Sequence, residues 1–180
     1  MIYIFLAQGF EECEALVPID ILRRAGLEIS TVGVSSKTVI GSHGIPIVCD
    51  ITDDAASTQN LSGIILPGGM PGTLNLEKSV KVQKFIDFAA QNNLLIGAIC
   101  AAPSILGHKN LLEGRKATCF TGFEKDLFGA EVIAQTTVRD GNFVTAYGAG
   151  AAFDFGFMLL EVLQGKEKSD ELKKQMRYTN

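Results

Sequence analysis

The sequence predicts an α/β protein, a mostly parallel sheet with helices on both faces. Two observations carry that prediction. Glycine-bounded apolar runs, "IYIFLA", "EISTVGV", "SGIILPGG" and "NLLIGAIC", recur along the chain, and segments of helical period, "EALVPIDILRRAG" and "SVKVQKFIDFAAQNN", lie between most of them. A chain of 180 residues, 47% apolar and with 19 glycines, can build one well-buried core with tight strand-to-helix turns. Residues 1–180 are therefore read as a single domain.

Taken in order, "MIYIFLAQGFEE" opens with a first strand. It has no basic leader and is far short of the roughly 18 apolar residues of a membrane span, so a cytoplasmic protein with no membrane partner is expected. "EALVPIDILRRAG" is the first helix, and Pro18, which has no N–H to donate, is best tolerated in its first turn. "EISTVGV" is the second strand, and "TVIGSHGIPIVCDIT" reads as a short hairpin. "SGIIL" is a strand running into "PGG", "SVKVQKFIDFAAQNN" a helix, and "NLLIGAI" a strand that leads through Cys100 into another helix. "EVIAQTTVRDGNFVTAYG" reads as a second hairpin turning at Asp140-Gly141, and both hairpins are expected as insertions or edge strands. "GAAFDFGFMLLEVLQG" has an apolar helical face ending at Gly165, and "KEKSDELKKQMRY" is a charged, solvent-exposed last helix.

The formal net charge of -4 leaves no basic stripe to neutralise phosphates, which argues against nucleic acid and for a small-molecule partner. The four cysteines form no CxxC pair and there are only two histidines, so neither a metal nor a cofactor is expected. Cys13, Cys49 and Cys119 are read as structural or incidental thiols.

In an open parallel sheet, ligands lie beyond the carboxyl ends of the strands. Three features converge there: Glu11, Glu12 and Glu14 after the first strand, the "PGG" at 67–69, and Cys100. A strand-to-helix junction lowers a thiol pKa through the helix dipole and free N–H groups, and the small Gly97, Ala98, Ala101 and Ala102 suit a nucleophile elbow. The alternative for Cys100 is a buried, inert thiol. Glu14 shares a helical face with Val17, Pro18, Ile21 and Ala25, whereas Glu12 falls with Arg23 on the other side. A carboxyl in apolar surroundings stays protonated and can donate a hydrogen bond to a thiolate. The alternative for Glu14 is a cap on free helical N–H groups. Gly68 and Gly69 offer unobstructed N–H groups for an oxyanion, or only a turn. His108 is about 12 Å along a helix from Cys100 and is not expected as a base. His43, on the first hairpin, is at the surface or the rim of the site.

Together "FEECEA", "ILPGG", "AICAAPSIL" and "TAYGAGAAFDFGFMLLEVLQGKE" resemble the ThiJ/PfpI superfamily, in its DJ-one branch that includes the Parkinson-disease deglycase, over nearly the whole chain. The resemblance implies a flavodoxin-like three-layer sandwich with a cysteine nucleophile elbow. Cys100 takes the nucleophile's position and Glu14 that of its protonated partner. Gly68, Gly69 and Ala101 take the positions whose amides hold an oxygen anion. It also implies a homodimer. Three positions depart from the pattern: Ala101 stands where PfpI-type proteases carry a histidine, Phe120 where the DJ-one branch often has one, and His43 where an arginine is often found. Peptidase activity is therefore disfavoured.

Two functions follow from the resemblance. One is glyoxalase III or deglycase-like conversion of reactive 2-oxoaldehydes such as methylglyoxal, with Cys100 adding to the aldehyde and Glu14 relaying protons. The other is redox sensing in a stress-response or chaperone-like protein, with Cys100 oxidised. A glutamine amidotransferase would need a histidine late in the chain, and none follows His108.

Overall fold

The computed structural model describes residues 1–179. The chain runs β1 (Ile2–Leu6), α1 (Glu12–Arg24), β2 (Ile29–Gly33), a hairpin of β3 (Thr38–Ile40) and β4 (Pro46–Val48), β5 (Ile51–Thr52) and β6 (Gly63–Leu66). It continues through α2 (Gly72–Lys78), α3 (Val80–Gln91), β7 (Leu95–Ile99), α4 (Pro103–His108), β8 (Lys116–Ala117) and β9 (Glu131–Val132). It closes with β10 (Thr137–Asp140), β11 (Phe143–Ala146), α5 (Ala152–Gln164) and α6 (Lys166–Gln175).

Seven strands form the central sheet in the order β10-β11-β7-β6-β1-β2-β5, parallel throughout except for the β10–β11 pair. β1 is buried along its whole length because successive side chains leave opposite faces and both faces are covered. Ile2, Ile4 and Leu6 pack under α1, α5 and α6, with Ile21, Phe155 and Leu159. Tyr3, Phe5 and Ala7 pack under α2, α3 and α4, with Leu76, Phe85 and Ile105. The result is the expected flavodoxin-like sandwich of helix, sheet and helix.

Four elements differ from the sequence reading. β11 is no insertion or edge strand: it pairs parallel with β7 inside the sheet, and of the two strands of this hairpin β10 is the one at a sheet edge. Glu131 and Val132 leave the predicted second hairpin and pair parallel with β8. A short helix, α2, precedes the predicted third-layer helix α3. Pro18 lies in the interior of α1, where its missing N–H leaves the Glu14 carbonyl without its usual helical donor. That surface is the one α5 crosses most closely: a Cβ on Gly156 would stand 2.6 Å from Ile21 Cδ1 and 3.3 Å from Pro18 Cα. The first hairpin stands outside the central sheet as predicted, and α6 faces solvent apart from the buried Ser169 and Leu172.

Candidate active site

Cys100 follows β7 directly and has φ +65°, a left-handed conformation that L side chains seldom adopt. Backbone bonds hold it there: its N–H donates to the Ala146 carbonyl at 2.8 Å, and its carbonyl accepts from the Phe120 N–H at 2.8 Å. The strain falls on the residue that must project its side chain beyond the strand ends. Small neighbours are needed, since a Cβ on Gly97 would meet Leu159 at 2.8 Å and Phe155 at 3.1 Å. Ala101 and Ala102 are buried.

Glu14 reaches the same point from the first turn of α1 and is only 1% exposed. Its Oε2 accepts the Gly68 N–H at 2.9 Å, and Oε1 has no oxygen or nitrogen partner. Its carboxyl also hydrogen-bonds the Cys100 thiol. The helix-cap alternative falls to Glu11 instead, which accepts the Glu14 N–H at 2.8 Å. Gly68 is required between the pair, because a Cβ there would lie 2.6 Å from Cys100 Cβ and 2.7 Å from Glu14 Oε2.

Burial pushes the Glu14 carboxyl up to about 7, aided by the charge on Glu11 and opposed by the hydrogen bonds from Cys100 and Gly68. Burial likewise pushes the Cys100 thiol up to about 12, reinforced by the charge and hydrogen bond of an ionised Glu14. The Ala101 and Gly69 amides pull the thiol the other way. Burial thus opposes the lowering expected from the strand-to-helix junction. α4 starts only at Pro103 and is a single short segment, while desolvation acts on the sulfur itself. What the site holds is a coupled pair that keeps two protons in acid and one above neutrality. Within the one-proton state, the arrangement with the proton on Glu14 leaves sulfur as thiolate facing two amide donors.

The oxygen-anion donors also differ from the expectation in one member. The Gly68 N–H is committed to Glu14, so Gly69 and Ala101 are the amides directed at Cys100. Phe120 is half-exposed and lies over Gly148, whose added Cβ would sit 3.2 Å from the ring. His108 is engaged by Glu77 at 2.5 Å. Cys49 and Cys119 are buried, with thiols pushed by desolvation up to about 11 and about 12, while Cys13 is exposed and raised chiefly by the charge on Glu11.

Sequence reasoning named Glu12 near the site but gave it no role. Placed on the face away from Glu14, it is nevertheless 5% exposed, because the β3–β4 hairpin folds over it. Glu12 Oε1 accepts the His43 N–H at 2.8 Å, Oε2 accepts the Ser42 hydroxyl at 3.3 Å, and His43 Nδ1 lies 2.9 Å from Oε2. The signal was present in "GSHG", a donor-rich turn of the kind that seeks a carboxylate. Glu11, Glu12 and His43 bring ligand-type atoms within 4.8 Å of one another, and hydrogen bonding accounts for the approach of His43 to Glu12.

Residues 1–162 match the family model described as DJ-1/PfpI family. The chain is 37% identical over 172 residues to Protein DJ-1 homolog B of Arabidopsis thaliana, covering 93% of this chain but only 39% of that protein. It is 31% identical over 165 residues to the Caenorhabditis elegans protein named glutathione-independent glyoxalase DJR-1.2, covering 91% of this chain and 88% of that one. Among solved structures, a DJ-1 superfamily protein of Salmonella typhimurium superposes with a TM-score of 0.94 at 32% identity, covering 99% and 98% of the two chains. Oxidized Toxoplasma gondii DJ-1 superposes at 0.95 with 29% identity and the same coverage.

Proposed function

The chain belongs to the DJ-1/PfpI family, and from that premise we propose that Cys100 and Glu14 form a cofactor-independent centre converting 2-oxoaldehydes such as methylglyoxal into 2-hydroxy acids. The observation that carries this reading is the strained Cys100, at φ +65°, standing beside the buried carboxyl of Glu14. The name of the nematode relative supports the same class of chemistry.

The sulfur adds to the aldehyde carbon: an S–C bond forms, the carbonyl π bond breaks, and the oxygen takes its proton from Glu14. The Gly69 and Ala101 amides stabilise the negative charge while it is on oxygen. Glu14, now a carboxylate, removes the C1 hydrogen to give an enediolate and returns that proton to C2, while the C1 hydroxyl proton passes to the C2 oxygen, leaving the thioester of a 2-hydroxy acid. Water then cleaves the thioester, releasing lactate and restoring the thiol. The sum is methylglyoxal plus water to lactate, with no redox partner. No step of this sequence uses an imidazole, in keeping with Ala101 and Phe120 at the two positions where histidine is found in PfpI-type proteases and in much of the DJ-one branch.

Lactate formation from methylglyoxal, without glutathione, is the test. Cys100→Ala should abolish it and Glu14→Gln should lower it by about a hundredfold or more, the usual worth of a general acid–base group. Equal rates in wild type and Cys100→Ala would overturn the reading.

A second reading is favoured by the same amides: a Cys100 oxidised by peroxide to sulfinate gains two oxygens that Glu14 and the Gly69 and Ala101 N–H groups can bind. Mild peroxide should then add 32 Da (about two oxygens) to the peptide containing Cys100 before any other. Prior oxidation of Cys119 would exclude it.

A further inference from the structure

The β3–β4 hairpin is a two-stranded ribbon outside the central sheet, an arrangement that needs anchors beyond its own pairing. Its tip is anchored on the residues that lead into α1. Gly9 N–H donates to the Ile40 carbonyl at 2.8 Å, and Ser42 N–H donates to the Phe10 carbonyl at 2.7 Å. Glu12 then receives the Ser42 hydroxyl, the His43 N–H and the His43 ring. Gly41 makes the approach possible, since a Cβ on it would collide with the Glu12 carboxylate.

The same turn of α1 is fixed from its other side. Glu11 N–H donates to the Gly68 carbonyl at 3.0 Å, while Gly68 N–H donates to Glu14 at 2.9 Å. Glu11 also holds the Glu14 N–H. The hairpin tip and the "PGG" loop therefore grip the turn carrying Glu14 between them, and His43 lies within reach of both Glu11 and Glu12.

We infer that His43 is a positioning residue for the Cys100–Glu14 pair: seated on buried Glu12, its positive charge offsets the carboxylate of Glu11 and thereby sets the pH at which the pair loses its first proton. The inference rests on the reading of Cys100 and Glu14 as the reactive pair. The groups facing His43 are Glu12 of α1 and Glu11, which caps that helix; those facing Glu14 are Cys100, just after β7, and Glu11. The "PGG" loop brings only amides to the pair, and on α5, packed along α1, Asp154 is engaged by the Tyr178 hydroxyl. Glu12 holds the His43 proton above the usual imidazole range through hydrogen bond and charge, so the cation persists toward neutrality. Because His43 is 70% exposed, its replacement removes charge with little packing.

The test is the rate of Cys100 alkylation by iodoacetamide between pH 5 and 9, read peptide by peptide by mass spectrometry so that exposed Cys13 is separated. Wild type should show a step near pH 7. In His43→Ala and in His43→Gln the step should move upward by roughly half a pH unit, the effect of one unit charge at several ångströms in a watery setting. His43→Arg should hold the step at or below its wild-type position. A step unmoved in both neutral variants, or moved equally in the arginine variant, overturns the inference while leaving the reactive pair intact. A wild-type profile without a step near neutrality overturns the pair itself. Thermal melting of each variant separates a charge effect from unfolding.

Discussion

A carboxyl group with 1% of its surface exposed loses most of its hydration, so ionising Glu14 costs free energy that one backbone N–H only partly returns. The folded protein therefore holds this proton more tightly than the unfolded chain, with the group moving from 4.5 to about 7. The sign follows: the contribution to stability is complete below about pH 4.5 and is lost as pH rises through about 7. Glu14→Gln removes the titration. Relative to that variant, wild type should lose about 3 kcal/mol between pH 4.5 and 8.5 in urea unfolding, and a pH-independent difference would contradict the assignment. Cys100 makes a second residue-scale prediction. At φ +65° glycine is relieved of the Cβ penalty, so Cys100→Gly should be more stable than Cys100→Ala by about 1 kcal/mol, measured by the same method. The sequence located both residues, because strand ends and a helical wheel are local properties. It could not weigh the desolvation of the thiol, which comes from elements distant in sequence, against the field of one short helix.

At the scale of elements, the site depends on how closely α1 approaches α5 and the "PGG" loop. Gly156 sits where the two helices cross, and Gly156→Ala would drive a methyl against Ile21 and Pro18. A loss of about 1–3 kcal/mol is expected in thermal or urea unfolding, as for other overpacked cores. Unchanged stability would mean that the helices are free to part. Pro18 illustrates what periodicity cannot foresee. Proline chemistry alone favours the first turn, but a helix already pinned by Glu11, Glu12 and the hairpin tolerates one missing bond in its interior. Glu12 illustrates the converse, since its place on the outer face of α1 says nothing about a hairpin that folds over that face some thirty residues later.

For the whole molecule, the alternation of apolar runs and helical segments was sufficient to indicate layers, because a sheet buried on both faces demands continuous apolar strands. The order of strands was less legible. β11 joins β7 across nearly fifty residues, a pairing decided by tertiary packing rather than by any local pattern. Both cores share the strands of one sheet, so unfolding should be a single cooperative transition with coincident near- and far-ultraviolet circular dichroism midpoints. Two separated midpoints would contradict a single domain. The functional account stands on one property of this assembled whole, a proton shared between Glu14 and Cys100. Site-resolved alkylation of Cys100 in wild type and Glu14→Gln measures it most directly. The account predicts a step near pH 7 in wild type that disappears in the variant. Identical profiles for the two proteins would contradict it.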